Sequence, residues 1–251
     1  MGISTVSEWN VPGSPEDEEA VERARQFKVG MYTNPIFSTN GDYPQLVKDL
    51  VAKKSALEGF SKSRLPEFTS GEIEYIKGTS DFFGLNHYTT RLTKNSPATD
   101  GEISFHNDME ADVSYDPSWP MDPANRFAII PWGFRRLLAW IKSTYNNPVI
   151  HVTESGSPDY GGLEDKVRIS YIGQYLEALL EAINQDNVHV QSYSVWSLMD
   201  NFAWNGGYLT KIGLHYVNFT DPDRPRIPKL SATYYKNIIA SRVVGDYPPL
   251  S

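Results

Sequence analysis

The sequence predicts an α/β protein built on a parallel sheet, and three observations carry that prediction. Short apolar runs suited to buried strands recur along the chain. Amphipathic helical segments separate them, and caps, prolines and glycines mark the boundaries. Strands alternating with helices imply βα units and parallel pairing. On periodicity alone a doubly wound sheet and a barrel remain equally open. The 251 residues are 40% hydrophobic and 13% aromatic, enough to bury a large core. Charged residues make up 22%, close to the globular average, which argues against wholesale disorder.

Residues 1–6 read as the inside of a strand, with neither the basic segment nor the apolar run of a signal peptide. Ser14-Pro15-Glu16-Asp17 is a helix start: a serine cap, proline at the first position and acids in the first turn. That helix is expected to reach about Met31, with Val21, Ala24 and Phe27 on one face. A second, over 44–57, buries Leu46, Val47, Leu50 and Val51. Thr69-Ser70-Gly71-Glu72 matches a capping box, opening a short helix that stops at Gly78.

Residues 81–88 form the next strand. The stretch from about 92 to 130 lacks periodicity and is expected to be a long loop. Pro131 then opens a helix with Phe134, Leu137, Leu138 and Ile141 at helical spacing. Residues 149–153 read as a buried strand. A helix over 164–184 carries the stripe Ile172, Tyr175, Leu176, Leu179, Leu180 and Ile183. The last strand covers 188–198, and a terminal helix spans about 231–242. No repeat, low-complexity segment or linker divides the chain, so residues 1–251 are expected to form one unit.

Composition excludes several functions. A net charge of −8 lacks the cationic footprint that nucleic acid requires. No stretch approaches the roughly 18 apolar residues of a membrane span. Without cysteine there is no disulfide, thiolate metal site or cysteine nucleophile. The five histidines show no ligand spacing, and no metal or organic cofactor is implied.

Polar and aromatic residues close several strands: Ser7-Glu8-Trp9, Asn86 with Tyr88, Glu154 and Trp196. In parallel α/β proteins, active sites assemble at the carboxyl ends of strands. Glu154 stands out, because it follows an apolar strand and precedes the turn Ser155-Gly156. A lone glutamate at a strand end is most often a solvated loop residue, so the surrounding motifs decide.

Residues 149–156 resemble the Thr-Glu-Asn-Gly signature of glycoside hydrolase family 1, with Ser155 in place of asparagine. Trp196-Ser197-Leu198-Met199-Asp200-Asn201-Phe202-Ala203-Trp204 resembles another motif of that family. So do Gly84-Leu85-Asn86-His87-Tyr88-Thr89 and the closing Arg224-Pro225-Arg226-Ile227-Pro228-Lys229. The likeness is to its animal or insect β-glucosidases and myrosinase-like members, and it covers nearly the whole chain. It implies a (β/α)₈ barrel of which this chain holds the second half, strands five to eight. It implies retaining hydrolysis of a β-glycoside with Glu154 as nucleophile, and Tyr88 as the hydroxyl that hydrogen-bonds the nucleophile and fixes its direction. Asn86 matches a sugar-binding amide, and Trp196 and Trp204 match indoles that line the glycone site. For Tyr88, Trp196 and Trp204 the plain alternative is packing. A digestive or secreted setting is compatible with the family, and the compartment stays open.

Two departures carry expectations of their own. No Asn-Glu-Pro segment, the family's source of the acid/base glutamate, occurs in this sequence. Glu8 is the nearest other strand-end carboxylate, without motif support, and Asp200 aligns with a structural position. The chain alone is therefore expected to be inactive, with a non-catalytic sugar- or protein-binding remnant as the alternative. Ala203 replaces a glutamate that reads sugar hydroxyls, which predicts weakened or altered glycone recognition. Half a barrel would also expose two strand edges and an apolar interior, favouring self-association or a complementary amino-terminal half.

Overall fold

The computed structural model describes residues 1–97 and 102–250. The chain opens with β1 (Gly2–Val6) and β2 (Trp9–Pro12). It is then helical from Pro15 to Phe37 in four pieces: a 3₁₀ turn at Pro15–Asp17, α1 (Glu18–Arg25), a π-helical stretch Gln26–Gly30 and α2 (Met31–Phe37). This runs past the expected end at Met31, even with Pro35 inside α2. Packing offsets the proline: the Thr33 and Tyr145 hydroxyls lie 2.7 Å apart, and the Phe37 ring packs against Phe83 at a tilt, 5.1 Å between centroids. The expected cap at Ser14 also differs, since its hydroxyl donates to Asp17 Oδ2 (3.0 Å) instead of accepting a backbone N–H.

Next come α3 (Gln45–Leu57) and α4 (Ser70–Ile76), the latter with the full Thr69/Glu72 capping box and a left-handed Gly78 beyond it. They are followed by β3 (Phe82–Asn86), β4 (Thr90–Asn95), α5 (Phe105–Met109) and β5 (Ala111–Ser114). The expected 92–130 loop is thus corrected. It contains β5 and most of β4, paired antiparallel with Leu92 opposite Ser114, while 98–101 lie outside the described residues. Pairing of β4 to β2 and of β5 to β4, not sequence period, makes those segments strands.

The remaining elements are α6 (Pro131–Thr144), β6 (Ile150–Glu154), α7 (Lys166–Asn184), β7 (Val190–Tyr193), the hairpin β8 (His215–Val217) with β9 (Arg226–Pro228), and α8 (Leu230–Ser241). The last strand is shorter than the expected 188–198. After Tyr193 the ladder becomes irregular, although Ser194 and Trp196 still donate to the carbonyls of Val152 (2.8 Å) and Ser155 (2.9 Å). On α7 the stripe holds except at Leu180, which sits at its rim and is 44% exposed.

The central sheet is parallel, ordered β1-β3-β6-β7, with β1 and β7 as its edges among the described residues. One face is dry: Phe83, Leu85, Ile150 and Val152 are buried against Phe134, Leu137, Ile141, Tyr175 and Leu179 of α6 and α7. Alternation along each strand sends Ser4, Asn86, His151, Thr153 and Ser192 to the other face. Those side chains bond one another: Thr153 Oγ1 donates to Asn86 Oδ1 (2.6 Å), Ser4 Oγ to the same oxygen (3.0 Å), and His151 Nδ1 meets Ser192 Oγ (2.6 Å). The expected apolar interior is corrected only in part: Val6, 59% exposed, and Phe82, packed edge-on against His151, share this face with those polar side chains. A smaller sheet, β2-β4-β5, packs with α1, α3 and α5 around a second cluster centred on Phe27, Val47 and Met109.

Candidate active site at the strand ends

The carboxyl ends of β1, β3 and β6 and the segment 196–212 surround a cavity of about 290 Å³. All five residues singled out in the sequence line it: Asn86, Tyr88, Glu154, Trp196 and Trp204. They come from three separate stretches of chain, brought together by the register of the parallel strands.

Glu154 is the last residue of β6 and pairs with Asn86 across a register shift in β3. Its carbonyl accepts from the His87 N–H at 2.9 Å, which fixes the strand end. The turn that follows needs glycine, since a Cβ on Gly156 would lie 2.0 Å from the Trp196 carbonyl oxygen. Close approach there sets the tryptophan segment beside the carboxylate.

The Tyr88 hydroxyl donates to Glu154 Oε2 at 2.5 Å. Burial, then the hydrogen bond and charge of Glu154, push the Tyr88 phenol well above its ordinary range. The proton therefore stays on Tyr88, which acts only as donor. Its ring stacks on Phe127 at 5.2 Å, and its backbone carbonyl accepts from the buried Tyr171 hydroxyl at 3.1 Å. Such support keeps the donor aimed. Asn86 is held by its oxygen, which accepts from Ser4 and Thr153, so its amide nitrogen is left for the cavity.

The opposite wall is looser. Trp196 is 40% exposed and Trp204 is 89% exposed, with a left-handed φ of 46° at Trp204. What anchors this segment lies beneath it. Lys229 Nζ donates to Asp200 Oδ1 at 2.9 Å with both side chains fully buried, and the Gly213 N–H adds a 3.0 Å bond to the same oxygen. Asp200 thus stands outside the cavity lining, as a tie and not a reactant.

Glu8 does not join the site. Its carboxylate pairs with Arg91 (2.8 Å) and Lys28 (3.1 Å), residues 83 and 20 positions away. Burial raises its pKa, but the two cations outweigh that and leave it below the usual carboxylate range. A carboxyl held charged in this way cannot serve as a general acid near neutral pH. Glu154 is the one carboxylate among the described lining residues. Sequence reasoning missed Arg126, Phe127 and Thr210, which also line the cavity. No pattern in the aperiodic 92–130 stretch signals the first two.

Beside that geometry stand the relatives. The model of Glycosyl hydrolase family 1 matches residues 1–244. A human cytosolic beta-glucosidase is 44% identical over 244 residues, covering 95% of this chain and 51% of the relative. Myrosinase 1 of Brevicoryne brassicae is 42% identical over 229 residues, covering 91% of this chain and 48% of the relative. The solved structure of an aphid myrosinase superposes with a TM-score of 0.86 at 40% identity, covering 95% of this chain and 52% of the other. The chain spans about half the length of the curated relatives it matches. Its solved relatives are (β/α)₈ barrels, so the β1-β3-β6-β7 sheet corresponds to half of such a barrel. Motif order, sheet order and coverage agree, and the chain belongs to glycosyl hydrolase family 1, the family of the beta-glucosidases.

Proposed function

We propose that this chain carries the nucleophile side of a retaining β-glucosidase-like site acting on a β-glycoside. The observation that supports it most is the 2.5 Å hydrogen bond from Tyr88 to Glu154 inside a cavity walled by tryptophans. In this reading a Glu154 oxygen attacks the anomeric carbon as the bond to the leaving oxygen breaks, and water later cleaves the glycosyl ester. Tyr88 directs the carboxylate, the Asn86 amide donates to a sugar hydroxyl, and Trp196 and Trp204 take the apolar faces of the ring.

Retention needs a second carboxyl group roughly 5 Å from the first to protonate the leaving oxygen. No described lining residue supplies one. We assign that role to a partner half that would pair with the open edges β1 and β7, making residues 1–251 one half of a barrel domain. The chain without it should be inactive on glycosides that need acid assistance. Ala203 in the cavity wall favours the second reading, sugar binding without turnover, because it offers no hydrogen-bond acceptor on its side chain.

A 2-deoxy-2-fluoro glucoside with an activated leaving group separates the two, since its departure needs little acid assistance. Intact mass should show one added fluoroglucosyl group on the chain, alone or mixed with an amino-terminal half, and none on Glu154→Gln. A folded chain that stays unlabelled in both preparations would leave only the non-catalytic reading.

A further inference from the structure

Beneath the cavity, buried hydroxyls connect the Glu154 strand end to the residue that holds its carboxylate. Ser155 follows Glu154 directly and is fully buried, with its carbonyl fixed by the Trp196 N–H at 2.9 Å. Its Oγ lies 3.1 Å from the Tyr171 hydroxyl, and that hydroxyl donates to the Tyr88 carbonyl at 3.1 Å. The Tyr88 side chain in turn donates to Glu154 Oε2. These contacts close a ring that begins and ends on the neighbours Glu154 and Ser155. Proton counting fixes its direction. A tyrosine has one O–H, and that of Tyr171 goes to the Tyr88 carbonyl, so Ser155 is the donor between the two hydroxyls. Burial pushes the Tyr171 phenol well above its ordinary range, so the proton stays in place. Tyr175 stacks on the Tyr171 ring with centroids 3.9 Å apart and adds a longer bond, 3.4 Å, to the same carbonyl.

We propose that Ser155, acting through Tyr171, positions Tyr88 and thereby sets the reactivity of Glu154 as a nucleophile. The proposal rests on the glycosidase reading above. Neither Ser155 nor Tyr171 is among the described residues lining the cavity, so both are positioning residues without contact to a sugar. Donors in series polarise one another, so the Ser155 bond strengthens the one that Tyr171 makes to the Tyr88 carbonyl. A carbonyl held from below keeps the phenol of the same residue within reach of Oε2. Loss of the relay loosens that reach and leaves the cavity wall unchanged. Tyr193 packs against the same cluster, but its buried hydroxyl has no partner among the described residues, and it stands outside the relay.

Labelling by the 2-deoxy-2-fluoro glucoside, in whichever preparation of the unmodified chain reacts, reads the relay as a rate at saturation and an apparent dissociation constant. Ser155→Ala and Tyr171→Phe should each slow the saturated rate about 5-fold, the effect of one neutral hydrogen bond, with the dissociation constant within about 2-fold of its original value. Combining the two should slow labelling no more than the stronger single change, because both cut one chain of donors. In a Tyr88→Phe background Ser155→Ala should change nothing further, since no donor is left to position. Tyr193→Phe should label at the original rate. If Tyr171→Phe does not fold, Ser155→Ala, which removes a single oxygen, decides the matter. An unchanged rate in Ser155→Ala overturns the proposal. So does equal slowing in the Tyr88→Phe background, or equal slowing by Tyr193→Phe, either of which would reduce the effect to core packing. Each of these outcomes leaves the glycosidase reading standing. A folded, unmodified chain that never labels overturns that reading and the relay with it.

Discussion

The two faces of the parallel sheet are built from alternate residues of the same strands, yet they obey opposite rules. One, carrying Phe83, Leu85, Ile150 and Val152, is buried against α6 and α7. The other carries two separate hydrogen-bonded groups, Ser4 with Asn86 and Thr153 reaching the cavity, and His151 with Ser192. The first face supplies cohesion, and the second supplies direction to groups that meet a ligand. A period of two residues is what lets one strand do both. Glu154 sits where the two requirements meet, on a strand pinned by the dry face and opening onto the wet one.

Substitutions can break this contrast, the largest effects being expected on the dry face. Leu85→Ala leaves a cavity in the sealed core and should cost about 3 kcal/mol in urea unfolding. A loss below about 1 kcal/mol would show that the sheet is not anchored there. His87 lies between Asn86 and Tyr88 but points into the dry side, stacked on Phe134 at 4.9 Å. Burial pushes its pKa down from 6.5 to about 4. An unfolded chain therefore binds a proton that the folded one refuses, and stability falls as pH drops from about 6.5 towards 4. Between pH 7 and 4.5 this group should account for about 2.5 kcal/mol. Comparing that slope with the slope in His87→Phe checks the assignment, since identical slopes would remove His87 from the acid sensitivity.

On the wet face effects should shift from stability to reactivity. Tyr88→Phe removes the donor on Glu154 and should slow fluoroglucoside labelling by about 30-fold, near 2 kcal/mol, with little change in unfolding. Unchanged labelling would reduce Tyr88 to a packing residue. Ser4→Ala should cost less than about 1 kcal/mol, because Thr153 still holds Asn86 and the site is wet. A larger loss would mean that the polar face carries stability after all.

Much of this was legible from the residues. The Thr69/Glu72 capping box and the α6 stripe were found as read, because caps and helical periodicity act over three or four neighbours. All five candidate residues do line one cavity, and their motifs located them. Features set by distant partners were not legible. The strand β5 exists because β4 is there to pair with it, and the helix past Pro35 persists because Tyr145 and Phe83 pack on it. Arg126 likewise has no pattern around it; it reaches the cavity beside Thr210, 84 residues along the chain.

The sequence by itself determined the βα order, the strand on which Glu154 ends and the family the chain belongs to. Those depend on local periodicity and on contiguous motifs. Tertiary structure alone decided what the other strand-end carboxylate does. Glu8 and Glu154 both stand at strand ends, but Lys28 and Arg91 reach Glu8 across the fold and bind its charge, while the Glu154 carboxylate accepts from the Tyr88 hydroxyl in an open cavity. Charges that meet across 83 residues of chain are settled by folding and not by sequence spacing, and that is why two similar carboxylates have different work.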